Sequence, residues 1–140
     1  MKVQELLFAH GAFYQFERRA KFYDEYLRNR NNTQWLSPDL PMNEIDKLFK
    51  FIKRWDYHFR GSKNKFKFVY QNIYPLFVDL RDELFINIDL SSKDNEFKIT
   101  TIFDAFAICN EEGRYESTDA SKIIHTINPR LFIMWDRRIR

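Results

Sequence analysis

Asn43-Glu44-Ile45-Asp46-Lys47-Leu48-Phe49-Lys50-Phe51-Ile52-Lys53-Arg54-Trp55-Asp56-Tyr57-His58-Phe59 carries Ile45, Leu48, Ile52, Trp55 and Phe59 at steps of three and four. A turn of α-helix takes 3.6 residues, so this spacing gathers the five side chains on one face. Asn43 is placed to cap the first turn, and Gly61-Ser62 to stop the helix. Lys47, Lys50 and Arg54 fall together on a face away from the apolar stripe.

The same period recurs on both sides of this stretch. Phe13, Phe16, Ala20, Tyr23 and Leu27 mark an earlier helix, ended by Asn29-Arg30-Asn31-Asn32 because Asn favours turns over helix interiors. Ser37-Pro38-Asp39-Leu40-Pro41 reads as a loop. Beyond Gly61, one helix is expected from near Asn64 to about Asn72 and another from Tyr74 to about Leu84, split because Pro75 lacks a backbone donor. Phe85–Leu90 alternates like a short extended piece but equally suits a loop against the core. Ser91–Asn95 reads as polar linker. Ile99, Ile102, Phe103 and Phe106 define a helix ended by Asn110-Glu111-Glu112-Gly113. Ser117 or Thr118 caps a last one, which buries Ala120, Ile123, Ile124 and Ile127 and stops at Asn128-Pro129.

Composition agrees with helices. The 140 residues are 44% hydrophobic and 18% aromatic, with 15 Phe and 7 Tyr but only 3 Gly and 4 Pro. Sandwiches and barrels need far more turn residues. The expectation is an all-α fold: one compact multi-helix domain over residues 1–140, with at most a short extended element near 85–90. The closing Trp135-Asp136-Arg137-Arg138-Ile139-Arg140 reads as the opening of a helix, which leaves room for a C-terminal continuation.

Cys109 is the single cysteine, so no disulfide framework exists, and a reducing, cytoplasmic setting is expected. No signal peptide and no bilayer-length apolar run is present, so no membrane partner is expected. His10, His58 and His125 are scattered, without metal-ligand spacing, and three isolated Gly cannot build a phosphate loop. Neither metal nor cofactor is expected. Cys109, amid Phe103, Phe106, Ala107 and Ile108, reads as an inert buried thiol.

The net charge is +3, compatible with nucleic-acid contact. Lys47, Lys50, Lys53, Arg54, Arg60, Lys63, Lys65 and Lys67 alternate with Trp55, Tyr57, Phe59, Phe66, Phe68 and Tyr70. Binding DNA or RNA calls for cations on phosphates and rings against unstacked bases, which makes Lys47, Lys50, Arg54, Arg60, Lys63 and Lys65 candidate phosphate contacts. The competing reading is a solvated charged face over core rings, with Asp46 and Asp56 interrupting the charge. Arg54-Trp55-Asp56-Tyr57-His58 also resembles the Arg/His motif of helical HEPN-type ribonuclease toxins. It has three intervening residues where those have four to six.

The C-terminal run Ala120-Ser121-Lys122-Ile123-Ile124-His125, then Asn128-Pro129-Arg130-Leu131-Phe132, then Trp135-Asp136-Arg137-Arg138-Ile139, resembles a pattern of uncharacterised prokaryotic and phage-associated helical proteins. More distantly it is similar to the helix-hairpin-helix DNA glycosylases. That resemblance implies that Asp136 would stabilise the cationic sugar as a base departs, with the flipped base near Trp135. Lys122 would be the Schiff-base amine, although the family position falls near Thr118, a turn earlier. The hairpin's glycine turn has no counterpart in Asn110-Glu111-Glu112-Gly113-Arg114. Asp136 equally suits the N-cap of a helix beginning at Arg137. The functional expectation is thus a nucleic-acid-associated helical protein of glycosylase-like ancestry, with its enzymatic status open. The alternative is a non-enzymatic interaction module from a mobile element or defence system, binding a protein partner or its own copy.

Overall fold

The computed structural model describes residues 20–32, 34–81, 83, 87–132 and 134. Along these run α1 (Ala20–Asn29), a 3₁₀ turn (Gln34–Leu36), α2 (Met42–Trp55), α3 (Lys63–Asp79), α4 (Lys93–Ala107) and α5 (Ser117–Ile127). Among the described residues there is no β-strand, only an isolated antiparallel bridge between Gly61 and Asn110. The fold is all-α, as composition and period required.

Rings make the core. Phe66 of α3 is fully buried and packs on Trp35 of the 3₁₀ turn, Phe49 of α2 and Phe106 of α4, with centroids 6.3, 5.7 and 5.2 Å away. These separations suit edge-on and offset aromatic pairs. Four elements therefore meet on one side chain. Beside it, the buried Tyr70 donates its hydroxyl to the Trp35 carbonyl at 2.6 Å, which fixes the 3₁₀ turn onto α3.

Helix α5 is the most enclosed element: Ala120, Ser121, Lys122, Ile123, Ile124 and Thr126 are all buried, and it packs on α4 and α2. Its small polar side chains turn back on their own helix. Ser121 Oγ donates to the Thr118 carbonyl (2.9 Å) and Thr126 Oγ1 to that of Ile123 (2.6 Å), so neither buries an unmade bond. The helix end is tied to α1. His125 bonds the Phe132 carbonyl through Nδ1 (2.6 Å) and the Tyr23 hydroxyl through Nε2 (2.7 Å). A carbonyl only accepts, so the ring proton sits on Nδ1 and Tyr23 donates to Nε2. The Arg30 guanidinium also donates to the Thr126 carbonyl.

Several sequence expectations change here. Helix α3 runs unbroken through Pro75 to Asp79 instead of dividing near Asn72. Pro75 is exposed, while Ile73 and Phe77 on either side are buried; their packing outweighs the lost backbone bond. Helix α2 ends at Trp55, short of Phe59, because Asp56 turns extended (φ −135°, ψ 103°). At its start Pro41, not Asn43, holds the N-cap position, and at α5 Glu116 takes it in place of Ser117 or Thr118. Ser91–Asn95 is not all linker, since α4 begins at Lys93 with Asp94 and Glu96 in its first turn, where carboxylates suit the helix dipole. Asn87–Leu90 is turn and coil rather than strand. Residues 84–86 and the Phe13–Phe16 part of the first stripe lie outside the described residues.

The ring cluster sets a test by contrast. Phe66→Ala should cost about 3–5 kcal/mol in denaturant unfolding, as truncation of a buried ring does. Phe68→Ala, two residues away but 68% exposed, should stay within about 0.5 kcal/mol.

Candidate functional site

Lys50, Lys53 and Arg54 lie on the outer face of α2, and Lys63 opens α3. The loop between the two helices folds back so that all four line one concavity of about 420 Å³, together with Asp46, Phe49 and Gly61. Gly61 is required by close approach: a Cβ there would come within 2.1 Å of the buried Phe59 ring. Lys63 pairs with Asp46. Arg54 pairs with Glu25 at 3.0 Å and lies over the Phe22 ring at 4.1 Å. Lys50 and Lys53 make no ion pair among the described residues.

Three of the six candidate phosphate contacts, Lys50, Arg54 and Lys63, thus come together. Lys53 joins them, and its signal was the i, i+3 step from Lys50 on the same helix. Lys47 is held by Glu44 (2.5 Å) and the Asn29 carbonyl (3.1 Å). Lys65 donates to the carbonyls of Asn110 and Glu111 at 2.8 and 3.1 Å, and so clamps a loop. Arg60 faces elsewhere. Of the interleaved rings, Trp55, Phe59, Phe66 and Tyr70 are core, and Tyr57 and Phe68 are exposed.

Arg60 lines a second cleft of about 490 Å³, with Asp56, His58, Asn110, Glu112, Arg114, Glu116, Thr118 and Asp119. Its walls are built from local bonds. The Asn110 side chain donates to the Arg114 carbonyl (2.6 Å) and accepts the Arg114 N–H (3.0 Å), shaping a turn in which Gly113 takes the left-handed φ of 66°. The Ser62 N–H donates to the Cys109 carbonyl and the Glu116 N–H to that of Ala107. Asp56 is the hinge of the arrangement. Its carboxylate accepts the His58 N–H at 3.0 Å and the Lys122 ammonium at 2.7 Å.

Lys122 is 1% exposed, a buried cation whose charge is met by Asp56 across 66 residues of sequence. Its ammonium is thus held in an ion pair by a carboxylate of the cleft wall. Burial pushes the Asp56 carboxyl up, but the hydrogen bond and charge of Lys122 and the His58 N–H outweigh that and hold it below the usual range. Glu44 behaves alike: burial raises it, and Lys47 with the Asn31 N–H lowers it further than burial raises it. The Cys109 thiol is pushed up to about 12 by burial, which keeps it protonated and inert.

No protein-family model matches the chain, and no curated protein or solved structure is significantly similar to it. Trp135, Asp136 and His10 lie outside the described residues. Arg54 and His58 line different concavities, so the ribonuclease-like pair does not share one. Among the described residues no three His, Cys, Asp or Glu side chains group as metal ligands, and no helix is long and apolar enough to cross a membrane.

The buried pair sets the next test. Asp56→Asn alone should destabilise by about 3–5 kcal/mol, since it strands the buried Lys122 ammonium; Lys122→Met should cost less, because Asp56 reaches the cleft, and the double variant less than the sum. The pH dependence has a definite sign. Asp56 and Glu44 titrate lower in the folded state than unfolded, so their contribution is complete above the ordinary carboxylate range of about 4 and is lost as pH falls through their folded values. Unfolding stability followed by circular dichroism should therefore fall less steeply below about pH 4 in Asp56→Asn/Lys122→Met, which lacks one of these lowered carboxylates.

Proposed function

We propose that this chain is a nucleic-acid-associated helical domain that holds a phosphate backbone in the concavity between α2 and the start of α3. The observation that carries this reading is the convergence there of Lys50, Lys53, Arg54 and Lys63 against the single carboxylate of Asp46. Cations from two elements around one hollow can engage successive phosphates, and each contact releases condensed counterions. The existing pairs of Lys63 with Asp46 and Arg54 with Glu25 are solvent-exposed. Such pairs are worth about 0–1 kcal/mol, so a phosphate can displace the carboxylate at small cost.

Phosphate contacts position a strand without reading its sequence, so the domain binds DNA or RNA with little sequence preference through this face. A glycosylase-like step at Asp136 is a separate addition that the binding reading does not need. Binding to labelled oligonucleotides, followed by fluorescence anisotropy between 50 and 200 mM salt, tests the reading. Affinity should fall steeply with salt, and Lys50→Ala/Lys53→Ala should flatten the log–log slope by about 2, close to one unit per lost phosphate contact. Absence of binding at low salt overturns it in favour of the protein-interaction module.

A further inference from the structure

We infer that the second cleft, lined by Arg60, takes an unpaired nucleobase of the strand whose phosphates occupy the basic concavity; this rests on the binding reading above. The two hollows are neighbours. Arg60 lines one and Gly61, the next residue, lines the other, and consecutive Cα atoms are about 3.8 Å apart. Their electrostatics are opposite. Among lining residues the basic concavity has four cations to one carboxylate, with Glu25 beside it on Arg54, whereas the cleft has four carboxylates to two guanidiniums, with the Lys122 ammonium behind Asp56. A phosphate is drawn to the first and repelled by the second.

What the cleft suits is a neutral group rich in both donors and acceptors. Arg60, without an ion pair among the described residues, offers donors to ring nitrogens and carbonyls. Asp56, which already takes Lys122 and the His58 N–H, and Glu112, paired with the exposed Arg114 at 2.7 Å, keep carboxylate lone pairs for exocyclic amines. Tyr57 does not itself line the cleft, but its ring, 79% exposed, lies against the imidazole of His58, which does, with centroids 3.8 Å apart. An aromatic ring left in water beside a polar cleft is a stacking platform for an unstacked base. The walls are fixed beforehand by the Lys122–Asp56 pair and the Gly61–Asn110 bridge, which lowers the ordering cost of binding. A cleft of about 490 Å³ lies within the range of small-ligand sites, about 300–1,000 Å³. A base paired in a duplex cannot enter it, so the strand it selects is single.

Two measurements test this with separable outcomes. Adenosine and cytidine, which carry no phosphate, are titrated into the full chain while NMR shifts are followed. Saturable shifts at Tyr57, His58 and Arg60 are expected, lost in Tyr57→Ala and Arg60→Ala and kept in Lys50→Ala/Lys53→Ala. A single-stranded oligonucleotide should also bind about tenfold tighter than its duplex, the scale of one stacked base. Tyr57→Ala should erase that preference and leave the salt slope intact. Equal binding of both strands with no nucleoside shifts overturns the base pocket while the phosphate reading survives. Nucleoside shifts at the cleft without oligonucleotide binding at low salt overturn the phosphate reading, and with it the assignment of the base to a bound strand, while base recognition by the cleft survives.

Discussion

The Phe66 ring is the constraint from which the rest of the molecule follows. Trp35, Phe49 and Phe106 reach it from three other elements, so the 3₁₀ turn, α2, α3 and α4 cannot move independently. A centre built of rings packs densely only in few arrangements. This geometry brings the end of α2 back toward the start of α3, and the loop between them forms the ridge that divides the two hollows.

Asp56 shows how closely fold and surface are coupled there. Its carboxylate takes the His58 N–H just after the helix ends, a local bond that competes with further helix. The same carboxylate neutralises Lys122, the buried cation of α5. Helix termination, burial of a charge and one wall of the polar cleft thus depend on a single side chain. Function in this region cannot drift far without disturbing stability.

Period made much of this legible in sequence. The Ile45–Trp55 stripe is buried and Lys50 and Arg54 stand outside it, because i, i+3 and i, i+4 relations are local. Pro75 misled, since a rule about the lost donor ignores the packing of Ile73 and Phe77 that carries the helix through. The burial of Lys122 was invisible because its partner lies 66 residues away, at Asp56, and the end of α2 was missed because the apolar period running on to Phe59 hid the local bond from the His58 N–H to Asp56. Lys63 joins Lys50 and Arg54 only through the intervening loop, whereas Lys65, alike in sequence, is spent on the carbonyls of Asn110 and Glu111. The C-terminal pattern around Trp135 and Asp136 falls outside the described residues.

Cys109 gives the molecule an unplanned use. It is the sole cysteine of the chain, buried, and its carbonyl receives the Ser62 N–H at the joint between the α2–α3 loop and the end of α4. A thiol reagent in solution does not reach it until the packing around it opens. Its rate of labelling therefore reports openings of the structure around the end of α4, where the thiol bonds the Ala105 carbonyl.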